Sequence, residues 1–399
     1  MTRLREILQP GIRGAAFYAA YWGITGLFEA FLFVHFLRLG FSGGQIGWLA
    51  AIFPLFNFVI STPISRLADR KARRVLILAV AAGCYGACLV LLSIPTTFLS
   101  LLPIYALVMA ARSPVVPLAD SLVARMAERH SLDFGSMRMW GSIAFMVTSM
   151  SMGALWQRTG FQVMFVVSGI CFSLVALAAF LLDETPPAPA PAPGSAVVKV
   201  GLPEPGILFL LAAGFLVVGS LFMNGIFGSV YMTLIGGTEM HVGALFGLTA
   251  MGEVPGMLFG RRLARRIGDT NTLLIACVIT AIGSGGYAFA TTPYMLLACG
   301  VLRGLGFGTY LVSTVTILNH RAPANMYATY QSLVNAICWG LAPLLGGPTA
   351  GYIYENFGPA TLFTISGSMG ILAAVLMLPT YRLWRSPPPS IPHITSETP

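Results

Sequence analysis

The sequence predicts an all-α integral membrane protein of twelve transmembrane helices, divided into two six-helix halves. Three observations predict it: too little charge to face water, apolar runs of membrane-spanning length, and an internal echo about half a chain apart. Of the 399 residues, 56% are hydrophobic and only 9% are charged. A soluble chain carries roughly 25% charge, so most of this surface must meet lipid. Runs of about twenty apolar residues are long enough to cross a ~30 Å hydrocarbon core as helices. A transmembrane β-barrel would instead alternate in ten-residue segments.

The predicted spans are 14–36, 44–65, 75–94, 98–119, 138–157 and 161–182, then 206–234, 242–260, 272–291, 294–318, 328–353 and 359–381. The first half is therefore residues 1–182 and the second residues 206–385. Between them, residues 183–205 are rich in Pro and Ala and read as a semi-rigid linker. Residues 386–399, which include three consecutive prolines, read as a disordered tail. The apolar stretch from Gly14 is too long for a cleavable signal and lacks a small-residue cleavage site.

Loop charges set the orientation. Of 23 Lys and Arg, all but Arg38, Arg112, Arg158 and Arg303 fall on one side of such a bundle. Arg66, Arg70, Lys71, Arg73 and Arg74 lie between spans two and three, and Arg261, Arg262, Arg265 and Arg266 between spans eight and nine. Cytoplasmic loops carry this excess, so both termini and the linker are expected in the cytoplasm, with the chain in the cell inner membrane. The net charge of +9 is thus a topology signal, and nucleic acid is not an expected partner. The six cysteines sit inside apolar runs without metal-ligand or disulfide spacing, so neither metal nor cofactor is expected.

The echo is legible in letters. Arg66-Leu67-Ala68-Asp69-Arg70 returns as Arg262-Leu263-Ala264-Arg265-Arg266, an offset of 196. Gly153, Gly160, Phe165, Ser168 and Gly169 return as Gly351, Gly358, Phe363, Ser366 and Gly367, an offset of 198. Parallel repeats of this kind build alternating-access transporters.

Ionisable groups inside spans are costly and face a partner or an aqueous cavity. Four stand out: Glu29, Arg112, Glu253 and Arg303. At ~1.5 Å per residue, Glu253 and Arg303 reach similar depth near the midplane, where an ion pair would offset part of both desolvation costs. The same estimate separates Glu29 and Arg112 by roughly 13 Å, so no direct contact is expected between them. Burial favours the neutral carboxylic acid, which makes Glu29 and Glu253 proton-coupling candidates. Arg112 and Arg303 are substrate-binding candidates, with the buried amides Asn57, Asn224 and Asn335. The alternative for each is a fixed salt bridge or interhelical hydrogen bond. Pro54, Pro63, Pro114, Pro117, Pro255 and Pro343 interrupt intramembrane runs and predict bends.

Ser65-Arg66-Leu67-Ala68-Asp69-Arg70-Lys71-Ala72-Arg73-Arg74 resembles the loop signature of the major facilitator superfamily, with Ser65 and Ala72 where that signature has glycine. The resemblance covers the whole chain and implies the major facilitator fold. It also implies a cytoplasmic gate role for Asp69, Arg70 and Arg73, to which the boundary residues Asp120 and Arg138 are added. Phe28-Glu29, Pro117-Leu118-Ala119-Asp120, Arg138-Met139-Trp140-Gly141-Ser142 and Glu253-Val254-Pro255 resemble the phenylpropionate permease group, related to the sugar- and nucleoside-proton symporters.

The expected function is secondary active, proton-coupled uptake of a small organic solute such as an aromatic acid, sugar or nucleoside, by a functional monomer in membrane lipid. The alternative is drug or metabolite efflux by proton antiport. An enzyme would need a nucleophile–base pair or a metal cluster, and neither pattern is present in the sequence. No phosphate-binding Gly-x-x-x-x-Gly-Lys-Ser/Thr motif points to an ATP-driven pump.

Overall fold

The computed structural model describes residues 8–184, 203–322 and 327–384, all in helices and short turns. The central part of the expected linker, the expected tail and the Asp69 side chain lie outside the described residues. The first span, Pro10–Arg38, joins α1 (Pro10–Phe28) to α2 (Leu32–Arg38) through a 3₁₀ turn at Glu29–Phe31. The span Gly43–Ala68 contains α3 (Gly43–Val59) and most of α4 (Ser61–Lys71). Then follow α5 (Arg74–Leu91), α6 (Phe98–Arg112), α7 (Val115–Arg129), α8 (Phe134–Thr159) and α9 (Phe161–Ala179). The second run holds α10 (Pro205–Leu234), α11 (Glu239–Ile267), α12 (Asp269–Gly286) and α13 (Pro293–Arg321). It closes with α14 (Tyr327–Val334), a π-helical turn at Asn335–Leu341, α15 (Ala342–Met377) and α16 (Thr380–Leu383).

Among the described residues, ten helical stretches are long and apolar enough to cross a membrane. Helix α8, with 26 residues, has the length but carries Arg138, Arg158 and several hydroxyls. Helix α15 holds a break at Gly358, where φ is 81°. Gly160, one offset of 198 earlier, ends α8 and starts α9 with φ 84°. Both turns need the left-handed region that glycine enters without a Cβ penalty.

The proline expectations hold in part. Pro54 and Pro255 lie inside helices, whereas Pro114 sits at the break between α6 and α7. Pro343 follows directly on the π-helical turn. At the loop after α4, Ala72 takes φ 48°. The left-handed turn that a glycine would serve is thus kept, at the cost of placing an alanine in it.

Helices pack as α1 on α8, α5 on α9, α10 on α15 and α11 on α13. Two further crossings, α3 on α15 and α8 on α11, join the early helices to the late ones. Glycine makes both possible. A Cβ on Gly47 would meet the Gly347 carbonyl oxygen, and one on Gly351 would meet the Gly43 carbonyl. In the other crossing, a Cβ on Gly243 would meet the Ser149 carbonyl, and one on Gly153 the Glu239 carbonyl. Each contact maps onto its counterpart by the offsets of 196 and 198 already seen in the letters. Backbones approach this closely only where the side chain is absent.

The start of the expected linker is anchored. Asp183 accepts from Arg13 at 2.9 Å and faces His130 Nε2 at 3.3 Å. Glu184 accepts from the backbone N–H groups of Arg74 and Val75 at 2.9 Å each, capping α5. An anionic cap satisfies donors that a helix start leaves open.

Candidate functional site

A cavity of about 350 Å³ lies at mid-length of the spans, lined by residues from both runs of helices. Glu29, Phe53 and Pro54 come from the first; Phe222, Thr249, Glu253, Arg303, Phe307 and Trp339 are among those from the second. The volume sits within the range of small-molecule pockets, and a mainly apolar wall with few polar groups is their usual chemistry.

Local backbone breaks aim several of these side chains. Glu29 opens the 3₁₀ turn, so the first span changes geometry at its one acidic residue. Glu253 stands two residues before Pro255, which removes a backbone hydrogen bond from α11. Trp339 lies in the π-helical turn. Such irregularities within helices occur often at functional positions.

The expectation that Glu29 and Arg112 stay apart is overturned. Arg112 Nη2 donates to Glu29 Oε1 at 2.7 Å. The first span begins at Pro10 rather than Gly14, and the fourth runs to Arg129 rather than Ala119. Counted from their shared end, at Arg38 and Phe98, the residues stand nine and fourteen positions deep. Five residues of rise is ~7.5 Å, within reach of a long arginine. Arg112 also stacks over Phe53, 4.4 Å from its centroid, and is buried behind Glu29 rather than lining the cavity.

Glu253 and Arg303 line one cavity. Among the described residues, however, they form no ion pair within 4 Å, nor does Glu253 make a hydrogen bond. Arg303 instead donates through Nη1 to the Leu221 carbonyl at 3.1 Å and lies 5.9 Å from the Tyr287 ring centroid. Among the described residues, its Nε, the Arg112 Nε and the buried hydroxyls of Tyr21, Tyr85 and Tyr287 have no hydrogen-bond partner. Such groups are exceptions to the rule that buried polar groups are paired, and Arg303 is the one of them that lines the cavity.

The amides divide differently. Asn224 donates to the Ser220 carbonyl at 2.9 Å and to Ser366 Oγ, tying α10 to α15. Asn57 is half-buried, Asn335 is exposed, and neither lines the cavity. At the other end of the expected gate, Asp120 accepts from Tyr18 Oη at 2.6 Å and from Arg138 at 3.0 Å. Arg70 and Arg73 are exposed.

Sequence reasoning missed the aromatic wall of Phe53, Phe222, Phe307 and Trp339. It also missed two carboxylates at the helix ends: Glu239, paired with Arg38, and Glu355, which accepts from Ser42 and Gly44. A helix start at residue 239 is legible, and an acid there is a favoured cap. The partner across the bundle is not.

A bundle of apolar helices around a mid-depth cavity with carboxylates and an arginine defines a membrane transporter rather than an enzyme. The description "MFS_1 like family" matches residues 12–365, and the chain belongs to that family of the major facilitator superfamily. The maltose permease of Geobacillus stearothermophilus is 28% identical over 392 residues, covering 91% of this chain and 97% of the relative. A probable 3-phenylpropionic acid transporter of Escherichia coli (strain K12) is 24% identical, covering 88% of this chain and 92% of that one. Among solved structures, the nucleoside transporter NupG superposes with a TM-score of 0.75 at 16% identity, covering 95% of this chain and 100% of that chain. The last likeness is one of fold.

Proposed function

We propose that the protein carries a small organic solute, an aromatic acid, sugar or nucleoside, across the cell inner membrane in symport with protons. One observation carries the reading: Glu253 and Arg303 stand in the wall of one mid-depth cavity without pairing to each other, across from a Glu29 that Arg112 already holds. A carboxylate with no partner in low dielectric gains most from a proton. Glu253 is therefore the proton carrier. Glu29, neutralised from behind, and Arg303, with an open Nε, offer polar contacts to the solute. The aromatic side chains supply the apolar wall.

The architecture in this reading is twelve spans in two six-helix halves. Counting α8, and dividing the last long stretch at Gly358, brings ten spans to twelve. The repeat-related glycine crossings support the division. Both termini then lie in the cytoplasm, by the basic loops. The closed crossings lie on the opposite side, so the described state faces inward. Asp120 with Arg138, and the exposed Arg70 and Arg73, belong to the inner gate together with Asp69.

Uptake into proteoliposomes by the purified monomer tests this. Maltose, uridine and 3-phenylpropionate are offered with and without an inward proton gradient. Accumulation of at least one above equilibrium, only with the gradient, is the expected result. Movement that ignores the gradient for every solute would sink the symport reading.

A further inference from the structure

The two glycine crossings lie between the cavity and the end of the bundle where residues 38–43 and 234–239 turn. Phe53 is six residues beyond Gly47 along the same span, or ~9 Å of rise. The crossings therefore floor the cavity on that side. Close packing of bare backbone gains van der Waals contact but makes no directional bond of its own. Polar groups that reach across the crossings add that bond.

Each crossing carries one carboxylate that reaches across it. Glu239, in the first turn of α11, pairs with Arg38 at the end of α2. Its side chain is 4% exposed, against 52% for Arg38. The Arg38 guanidinium also lies 4.9 Å from the Phe161 ring centroid. At the second crossing, Glu355 of α15 accepts from Ser42 Oγ at 2.9 Å and from the Gly44 N–H at 2.6 Å. These donors belong to the start of α3, which has no acidic residue in its own first turn.

The starts of α3 and α11 are one repeat offset apart, Gly43 and Glu239. One helix carries its own anionic cap and lends it to Arg38. The other is capped by the neutral Ser42–Gln45 box, has no acid in its first turn, and borrows the charge of Glu355 from the opposite run. In both cases a carboxylate at a helix N-terminus, where the dipole favours it, is shared between an early helix and a late one.

We propose that Arg38–Glu239 and Glu355–Ser42/Gly44 are paired clasps that hold this end of the transporter closed, and that both release when it opens. The inference rests on the alternating-access reading but adds the device that sets its resting state. Every clasp contact joins parts that must separate for the cavity to open on that side. The Glu355 bonds are charge-assisted and directional, and Arg38–Glu239 is an ion pair across the other crossing, which suits a switch between two discrete arrangements.

The test is a distance measured by pulsed electron resonance in lipid nanodiscs. Spin labels are placed at Thr96→Cys and Thr291→Cys, both exposed at this end, in a cysteine-free background. Glu355→Gln, Glu239→Gln and Arg38→Gln are compared with the parent. Arg38→Gln removes the same clasp as Glu239→Gln from its exposed side, so it keeps the test sound if Glu239→Gln does not fold. Gly243→Leu or Gly47→Leu serves as a wedge, forcing the backbones apart. The parent should give one short distance. Each clasp variant should raise the long-distance population by about tenfold, the scale of one charged hydrogen bond. If the wedge opens this end and the clasp variants keep the parent distribution, the clasps are overturned and the transport reading stands. If neither wedge nor clasp variants open it, both the clasps and the alternation they rest on are overturned.

Discussion

Arg112 holds Glu29 at 2.7 Å, at the turn where the first span leaves α-helical geometry. The arginine side chain is 9% exposed and the glutamate 29%, so the pair has a dry side and a cavity side. Removing one partner of a buried pair strands the other and costs about 3 kcal/mol. Glu29→Gln strands the more deeply buried arginine and should therefore lower the unfolding temperature more than Arg112→Gln, which strands a carboxylate that faces the cavity. Arg112→Lys, which keeps the charge, should lie closer to the parent than Arg112→Gln. Thermal unfolding in detergent checks the order; an Arg112→Gln protein more stable than the parent would remove the pair from the account.

Asn224 ties α10 to α15 through Ser220 and Ser366 and does not touch the cavity. Asn224→Ala should cost ~1 kcal/mol, the scale of an interhelical hydrogen bond in membranes. The KM for whichever solute is transported should stay within twofold, as expected for a group that only packs. A tenfold rise in KM with unchanged stability would return Asn224 to the binding site.

The glycine crossings make a contrast that stability measurements can read. A Cβ at Gly351 would meet backbone of α3, whereas one at Gly225 would meet nothing within 4 Å. Gly351→Ala should cost roughly 1–3 kcal/mol through forced backbone movement. Gly225→Ala should be neutral or slightly stabilising, since alanine is the better helix former. Equal effects at both sites would show that close approach is not what Gly351 provides.

Ala72 sits exposed with φ 48° in the loop after α4. Left-handed backbone costs a non-glycine residue ~1–2 kcal/mol. Ala72→Gly should raise the unfolding temperature without changing transport at the cavity. A fall would place the strain elsewhere.

Span existence was legible because length and sparse charge are properties of letters. That Glu253 and Arg303 could line one cavity was suggested by the equal rise counted along their helices, since Pro255 interrupts a hydrogen bond of α11 without ending the helix. Glu29 and Arg112 were misplaced by a few residues of span boundary, which apolar flanks such as 115–119 do not mark. The 3₁₀ turn at Glu29 leaves no mark either, since no proline or glycine causes it. The aromatic wall was illegible for another reason: α10 is apolar on every side, so nothing in its letters says that Phe222 faces the cavity. Gly47, Gly153, Gly243 and Gly351 could be read as a helix-packing set, but their pairing appears only once the helices cross.

The central claim is that Glu253 carries the proton. Proteoliposomes containing Glu253→Gln separate the two halves of that claim. Exchange of internal for external solute needs no net proton movement, whereas accumulation against a gradient does. The account predicts exchange near the parent rate, with accumulation driven by a proton gradient lost. Accumulation by Glu253→Gln at the parent level would contradict it.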